Sequence, residues 1–267
     1  MPKTDSSAPR RLPVRRCIGP FYLASLFCCL GFLPGAAGVL CGIRINLFWV
    51  TLLGGALGGV IGVPLLCGLM DTVLRALRGT ATGRWWPTYC AAWRQNWKDA
   101  LPAGELSGAL LGCWCWVIMT LPDMQRVPVS VWVCMAVGSC LLVGYFTYVY
   151  AQVVLVQLSL RSMLKNAGLL FLAAPLRTLG ATLLQAVYWL AMLLGGWYAL
   201  PVLLVTGFWL PVCGALVILF PVLDKAFGLR EADRAAAQPA EGGVLWKQRT
   251  PAFSTKPKNS CAVSWIT

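Results

Sequence analysis

Histidine is missing from this 267-residue chain, and acids are scarce, with nine Asp and Glu against 22 Lys and Arg. Without an imidazole the chain lacks the commonest general base and a principal zinc ligand. No nucleophile stands beside a base, and no glycine-rich loop ends in the lysine of a phosphate site. The sequence therefore predicts no enzymatic activity, no cofactor and no catalytic metal. Charge of either sign is also sparse, at 12% of residues against about 25% in soluble domains. With 58% hydrophobic residues and a mean hydropathy of +0.71, no soluble catalytic domain is left. The expected fold is all-α, a polytopic transmembrane helix bundle of about six spans, with interfacial amphipathic helices on the cytoplasmic side.

Cysteine is abundant, at twelve, but ten of them (Cys17, Cys28, Cys29, Cys41, Cys67, Cys113, Cys115, Cys134, Cys140 and Cys213) lie in or beside apolar runs and read as small hydrophobes. Cys113 and Cys115 flank Trp114, but no second pair stands at a zinc-ligand spacing. The net charge of +13 raises the question of nucleic acid. Its cations, however, sit beside apolar segments, which is the pattern of a membrane protein holding its basic residues in the cytoplasm.

Residues 1–16 form a basic, proline-containing cytoplasmic leader, and residues 224–267 a disordered cytosolic tail. Between them spans are expected at about 17–43, 45–77, 102–121, 128–158, 178–198 and 200–223. The cluster Pro34-Gly35-Ala36-Ala37-Gly38 also fits signal-peptide cleavage near Ala37, but hydrophobicity continues past it, which favours a retained first span. With both termini inside, thirteen Lys and Arg of the leader and internal loops face the cytoplasm, against Arg44 and Arg126 outside.

Residues 79–101 form the main cytoplasmic loop. Read as a helix from Trp85, this stretch places Trp85, Tyr89, Trp93 and Trp97 within one face and Arg94, Gln95 and Lys98 on the other, as in a helix lying at an anionic bilayer surface. Asn96 projects from the aromatic side, where its amide needs a partner in the bundle. A second basic segment at 159–177 carries Arg161, Lys165 and Arg177.

The second span is built on Gly54, Gly55, Gly58, Gly59 and Gly62, followed by Pro64. Glycines at steps of four let another backbone approach, and the proline removes one helical hydrogen bond. Asp71 closes this span four residues before Arg75 and is expected to pair with it. Glu105 falls in the first turn of the third span, where the helix dipole favours a carboxylate. Gln152 and Gln157, in the fourth span, are expected to bridge helices or to line a path, and Tyr145, Tyr148 and Tyr150 to form an aromatic belt.

Three stretches resemble the YesL-like family of bacterial integral membrane proteins, for which no biochemical activity is established: Ile45-Asn46-Leu47-Phe48-Trp49 leading to Gly62-Val63-Pro64-Leu65; the segment Tyr89 to Leu101 with its Asn96-Trp97-Lys98; and Leu158-Ser159 followed by Lys165-Asn166-Ala167. Where the family typically has an acid after the second span, this chain has Gly79-Thr80-Ala81-Thr82. The resemblance implies a multi-pass fold and, for some members, an association with carbohydrate uptake. It transfers no catalytic residue, but it singles out Trp93, Asn96, Trp97, Lys98, Lys165 and Asn166. Two functions follow as expectations. One is a non-enzymatic accessory that docks a partner, such as a transporter or other membrane protein, through its basic and aromatic face. The other is a small-solute transporter, with the glycine-rich second span and Asp71, Glu105, Gln152, Gln157 and Gln185 around a midplane path.

Overall fold

In a computed structural model of the chain, residues 17–81, 83–123, 127–156, 158–231 and 233 are described. The leader, most of the tail and Gln157 lie outside the described residues. Among the described residues eight α-helices follow one another: α1 (Ile18–Arg44), α2 (Phe48–Leu77), α3 (Trp85–Thr120), α4 (Val129–Leu155), α5 (Leu160–Ala173), α6 (Pro175–Gly195), α7 (Ala199–Thr206) and α8 (Trp209–Phe227). The fold is all-α. Helices α1, α2, α3, α4 and α8 are each long and apolar enough to cross a membrane, and α5 with α6, bent by 103°, raises the number to six if the bent pair is one span.

Helix boundaries are set by backbone caps. After α1, Asn46 takes the left-handed conformation at φ 54°, the Leu47 N–H donates to Gly42 O at 2.9 Å and the Asn46 N–H to Ile43 O at 3.2 Å. This is a Schellman ending with asparagine in the place usually given to glycine, and it reverses the chain within three residues. Gly79 ends α2 in the same way at φ +69°, with the Thr80 N–H on Arg75 O at 2.9 Å.

Helix α2 is the centre of the bundle, between α1 and α3, and the contact on both sides is backbone on backbone. Toward α1, a Cβ on Gly35 would collide with Gly58 Cα, and one on Gly38 would lie 2.8 Å from Gly54 Cα. Toward α3, a Cβ on Gly55 would lie 2.8 Å from Gly112 Cα, and one on Gly59 would collide with Gly104 O. So Gly54 and Gly58 serve one neighbour while Gly55 and Gly59 serve the other. Pro64 is buried inside α2, which continues unbroken to Leu77.

Three boundaries differ from the sequence reading. Residues 85–101 are not a separate interfacial helix, because α3 runs without a break through Pro102. Proline leaves the carbonyl four residues back unbonded; here both Pro102 and Lys98 are on the exposed side, where that cost is small. The sixth span is split, since Gly207 at φ +44° separates the short α7 from α8. Ser25 of α1 accepts from the Phe208 and Trp209 N–H groups at 2.8 and 3.3 Å, while the Tyr188 hydroxyl donates to Gly207 O at 2.7 Å. These side chains satisfy the backbone groups freed by the break, as an apolar setting requires. Finally, Asp224 does not open the tail. It lies in the last turns of α8, which ends at the left-handed Gly228, whose N–H donates to Asp224 O at 2.8 Å.

The outer helices close around this centre. Helix α4 packs on α2 and α3, α5 and α6 pack on α4, and α8 lies against α6 and α2. Leu69, Val73 and Leu74 of α2, Val149 of α4, Met163 of α5 and Leu216, Leu219 and Leu223 of α8 form the fully buried centre.

The central packing predicts a sharp contrast between glycines. Gly59→Ala is expected to destabilise the protein by about 2–3 kcal/mol, because neither backbone can recede. Gly180→Ala, on α6 with no heavy atom within 4 Å of the added carbon, is expected to be neutral or to stabilise by up to about 1 kcal/mol. Reversible unfolding in mixed detergent reads both; equal losses would contradict the seam.

Candidate functional site

The residues singled out in the sequence separate into three places. The first is the end of the bundle where α2 and α8 finish. The Asp71 carboxylate, on a buried residue, accepts from Arg75 Nε at 2.6 Å. One turn on, Arg78 makes a two-pronged pair with Asp233, with Nε on Oδ2 at 2.8 Å and the second guanidinium nitrogen on Oδ1. Asp224 accepts from the Arg230 N–H at 2.9 Å and pairs with its Nε at 3.4 Å. The Arg230 guanidinium lies 5.4 Å from the Phe220 ring centroid. The hydrogen bond from Arg78 to Asp233 holds its guanidinium above the usual range against the opposing effect of burial, and Asp71 and Asp224 add to the field. These pairs fasten the chain after α8 to the end of α2. They account for Asp71 as a structural ion pair, the role expected from its spacing to Arg75. Asp233 was not legible as a partner, since 155 residues separate it from Arg78.

The second place is the first half of α3. Its buried face is Tyr89, Ala92, Asn96 and Ala100, with the Tyr89 hydroxyl on Leu65 O at 3.3 Å and its ring under Gly68. Phe27 of α1 joins Trp86 and Tyr89 at centroid distances of 5.4 and 6.1 Å. The aromatic face is thus graded: Tyr89 is inside, Trp93 is half-buried, and Trp97, in edge contact with Trp93 at 5.7 Å, is 42% exposed. Arg94, Gln95 and Lys98 are exposed. Asn96 is buried on the inner face as expected, yet no hydrogen bond to its amide occurs among the described residues. On α5, Lys165 is exposed and Asn166 half-buried. Helix α5 touches α3, so the two basic segments belong to neighbouring elements.

The third place is a polar seam along α4. The Tyr150 hydroxyl donates to Ser107 Oγ of α3 at 2.7 Å, and Ser107 donates onward to Gly104 O at 3.1 Å. The Tyr145 hydroxyl donates to Leu164 O of α5 at 2.8 Å. The Tyr148 hydroxyl meets Thr178 Oγ1 of α6 at 2.9 Å, and Gln185 Nε2 of α6 donates to Thr147 Oγ1 at 3.1 Å. Fully buried Gln152 bridges α4 and α5, its Nε2 donating to Tyr148 O and Met163 O, both at 3.3 Å. The tyrosines are therefore not an interfacial belt, since Tyr148 has no exposed surface and its hydroxyl belongs to a helix junction. The clue available in the sequence was the spacing of Tyr145, Tyr148 and Gln152, at steps of three and four, which marks a single face.

Gln152 Oε1 is buried and has no hydrogen-bond partner among the described residues. An unmet acceptor costs about 1–3 kcal/mol, enough to cancel two long donor bonds. Gln152→Met is therefore expected to change stability by less than about 1 kcal/mol, whereas Gln152→Ala, which leaves a cavity, is expected to cost about 2–4 kcal/mol. Thermal unfolding in detergent distinguishes them. A loss in the Met variant as large as that in the Ala variant would mean that the amide is essential in its own right.

An open apolar groove of 340 Å³ runs between α4 and α5, lined by Leu141, Leu142, Tyr145, Gly168, Phe171 and Leu172. Among the described residues there is no group of three or more metal-ligating side chains that could hold an ion.

No protein-family model, curated protein or solved structure matches the chain.

Proposed function

We propose that the chain is a multi-pass protein of the cell membrane with both termini cytoplasmic, acting without catalysis as an accessory that docks a partner membrane protein. The docking face is the outer side of α3 and α5, with Arg94, Trp97, Lys98 and Lys165. Its cations also suit the anionic headgroups of the bilayer. Nucleic acid is not part of this reading. The resemblance to the YesL-like family adds carbohydrate uptake as the setting.

The observation that carries the proposal is the contrast between interior and exterior. Between α1, α2 and α3 the backbones touch, which leaves no room for a solute. Of the polar residues named for a transport path, Asp71 is engaged by Arg75, Gln185 by Thr147 and the Gln152 amide nitrogen by two carbonyls, while Glu105 is exposed on the outside of α3 and Gln157 lies outside the described residues. Outside, Arg94, Lys98, Arg161 and Lys165 form no salt bridge among the described residues. The distribution of cations, thirteen on one side of the six-span arrangement against two, supports the orientation.

Crosslinking in native membranes with the full chain, followed by affinity capture, tests this reading. A discrete partner should be recovered, and Trp97→Ala combined with Lys98→Glu should lower its yield about tenfold, equivalent to about 1.4 kcal/mol. Recovery of no stable partner would sink the accessory role. Solute flux in proteoliposomes that falls with Asp71→Asn and Gln152→Ala, in protein that remains folded, would favour transport instead.

A further inference from the structure

Glu105 occupies a position that the docking reading does not use. It is next to Gly104, whose backbone packs against Gly59 near the middle of the 30-residue α2. At 1.5 Å per residue, that level is about 17 Å from the start of α2 and about 18 Å from Asp71. Glu105 is therefore far from both polar ends of α2. Nor is it in a first turn, because α3 begins at Trp85, and the dipole explanation for a carboxylate at this position no longer holds.

Gly104 faces α2, whereas Glu105, one residue on, is exposed and faces away from the bundle. No cation of its own helix is within reach, since positions 101, 102, 108 and 109 are Leu, Pro, Gly and Ala. Among the described residues, Glu105 forms no salt bridge. Its exposed neighbours are Pro102, Leu106 and Leu110, an apolar surround suited to a membrane interior. A carboxylate facing hydrocarbon without a counter-ion is costly, and such groups characteristically pair with another charge.

We propose that this face of α3 is an intramembrane docking site for a transmembrane helix of a different protein, one that carries a Lys or Arg in the middle of its span. The inference rests on the accessory reading and adds the chemistry of the partner. A second copy of this chain does not fit. Arg44 and Arg75 lie in last turns, Lys225 in the last turn of α8, and Arg161 and Arg177 in the first turns of α5 and α6, while Lys165 is on α5, which at 14 residues is too short to cross a membrane by itself. Lys98 and Arg94 lie about 10 Å or more along α3 from Glu105, at 1.5 Å per residue, and a copy inserted the same way up keeps them off its level. A parallel copy meeting α3 against α3 would set Glu105 opposite Glu105. The complementary charge must come from elsewhere. Leu106 and Leu110 supply the apolar contact around the pair, and the exposed Lys98, toward the start of α3, invites an acid on the same partner.

The test uses the full chain in native membranes with a photoreactive residue at Ala109, one turn from Glu105. A heteromeric adduct is expected whose partner, identified by mass spectrometry, has a Lys or Arg near the centre of a predicted span. Glu105→Gln should reduce that adduct at least tenfold, as should Glu105→Lys. Exchanging the partner's cation for Glu should restore it with Glu105→Lys. Far-ultraviolet circular dichroism and detergent melting serve as checks that the variants fold.

An adduct of two copies of this chain, an adduct with lipid alone, or an adduct unchanged by Glu105→Gln would each overturn the inference. If Glu105→Gln leaves capture intact while Trp97→Ala with Lys98→Glu abolishes it, the intramembrane site is wrong and the accessory role survives. If neither variant set alters capture, the docking face on α3 is wrong as well.

Discussion

The arrangement of this protein depends on one geometric constraint, that α2 touches two helices at once through its backbone. A helix usually meets its neighbours through side chains, which hold the axes 8–10 Å apart. Here Gly54 and Gly58 face α1 while Gly55 and Gly59 face α3, so both neighbours come in close. The partners meet this with glycines of their own, Gly35 and Gly38 on α1 and Gly104, Gly108 and Gly112 on α3. In lipid the hydrophobic effect gives little reason for apolar helices to associate, and close packing supplies it instead. The cost is adaptability, because a backbone has no rotamer with which to make room.

The remaining helices are attached by a different chemistry. Around α4, Tyr145, Tyr150 and Gln152 donate hydrogen bonds to α5 and α3, Tyr148 shares one with Thr178 of α6, and Thr147 accepts one from Gln185 of α6. The sharp bend at Ala174 and the break at Gly207 each lie beside such side chains. Thr178 donates to Ala174 O at 2.9 Å, and Tyr188 and Ser25 serve the backbone at 207–209. Irregular backbone persists in an apolar bundle only where its polar groups are met, and these hydroxyls meet them. The bundle thus combines a glycine-packed half, α1 to α3, with a half stitched by hydroxyls and amides.

How much of this was legible follows from the range of each signal. Helix class and most spans depend on local composition, and Asp71 with Arg75 on a four-residue step, so both could be read directly. The glycines of α2 were readable, but their partners were not matched to them, although Gly104, Gly108 and Gly112 carry the same step of four. Pro102 marks a boundary in the sequence because proline disfavours helix interiors; that rule yields when the freed carbonyl lies on an outer face. Arg78 with Asp233 depends on chain return and leaves no local trace. Placing Glu105 required the register of α3 on α2, which no property of α3 alone contains.

That register changes where function is to be sought. A pathway needs space or mobile side chains between helices, and the centre of this bundle offers backbone contacts instead. Most of its buried polar groups are bonded within or between helices; among the described residues the Gln152 carbonyl, the Trp85 indole N–H and the Asn96 amide are the exceptions. The charged groups without an ion pair among the described residues of α3 and α5 include Arg94, Lys98, Arg161, Lys165 and Glu105, all on the outside. A lone acid on the outer face of a tightly packed helix cannot turn inward to find a partner, since the glycines beside it, Gly104 and Gly108, hold that helix against α2. The packing that makes the interior rigid therefore also fixes the direction in which Glu105 points, and any counter-charge has to approach from outside the bundle.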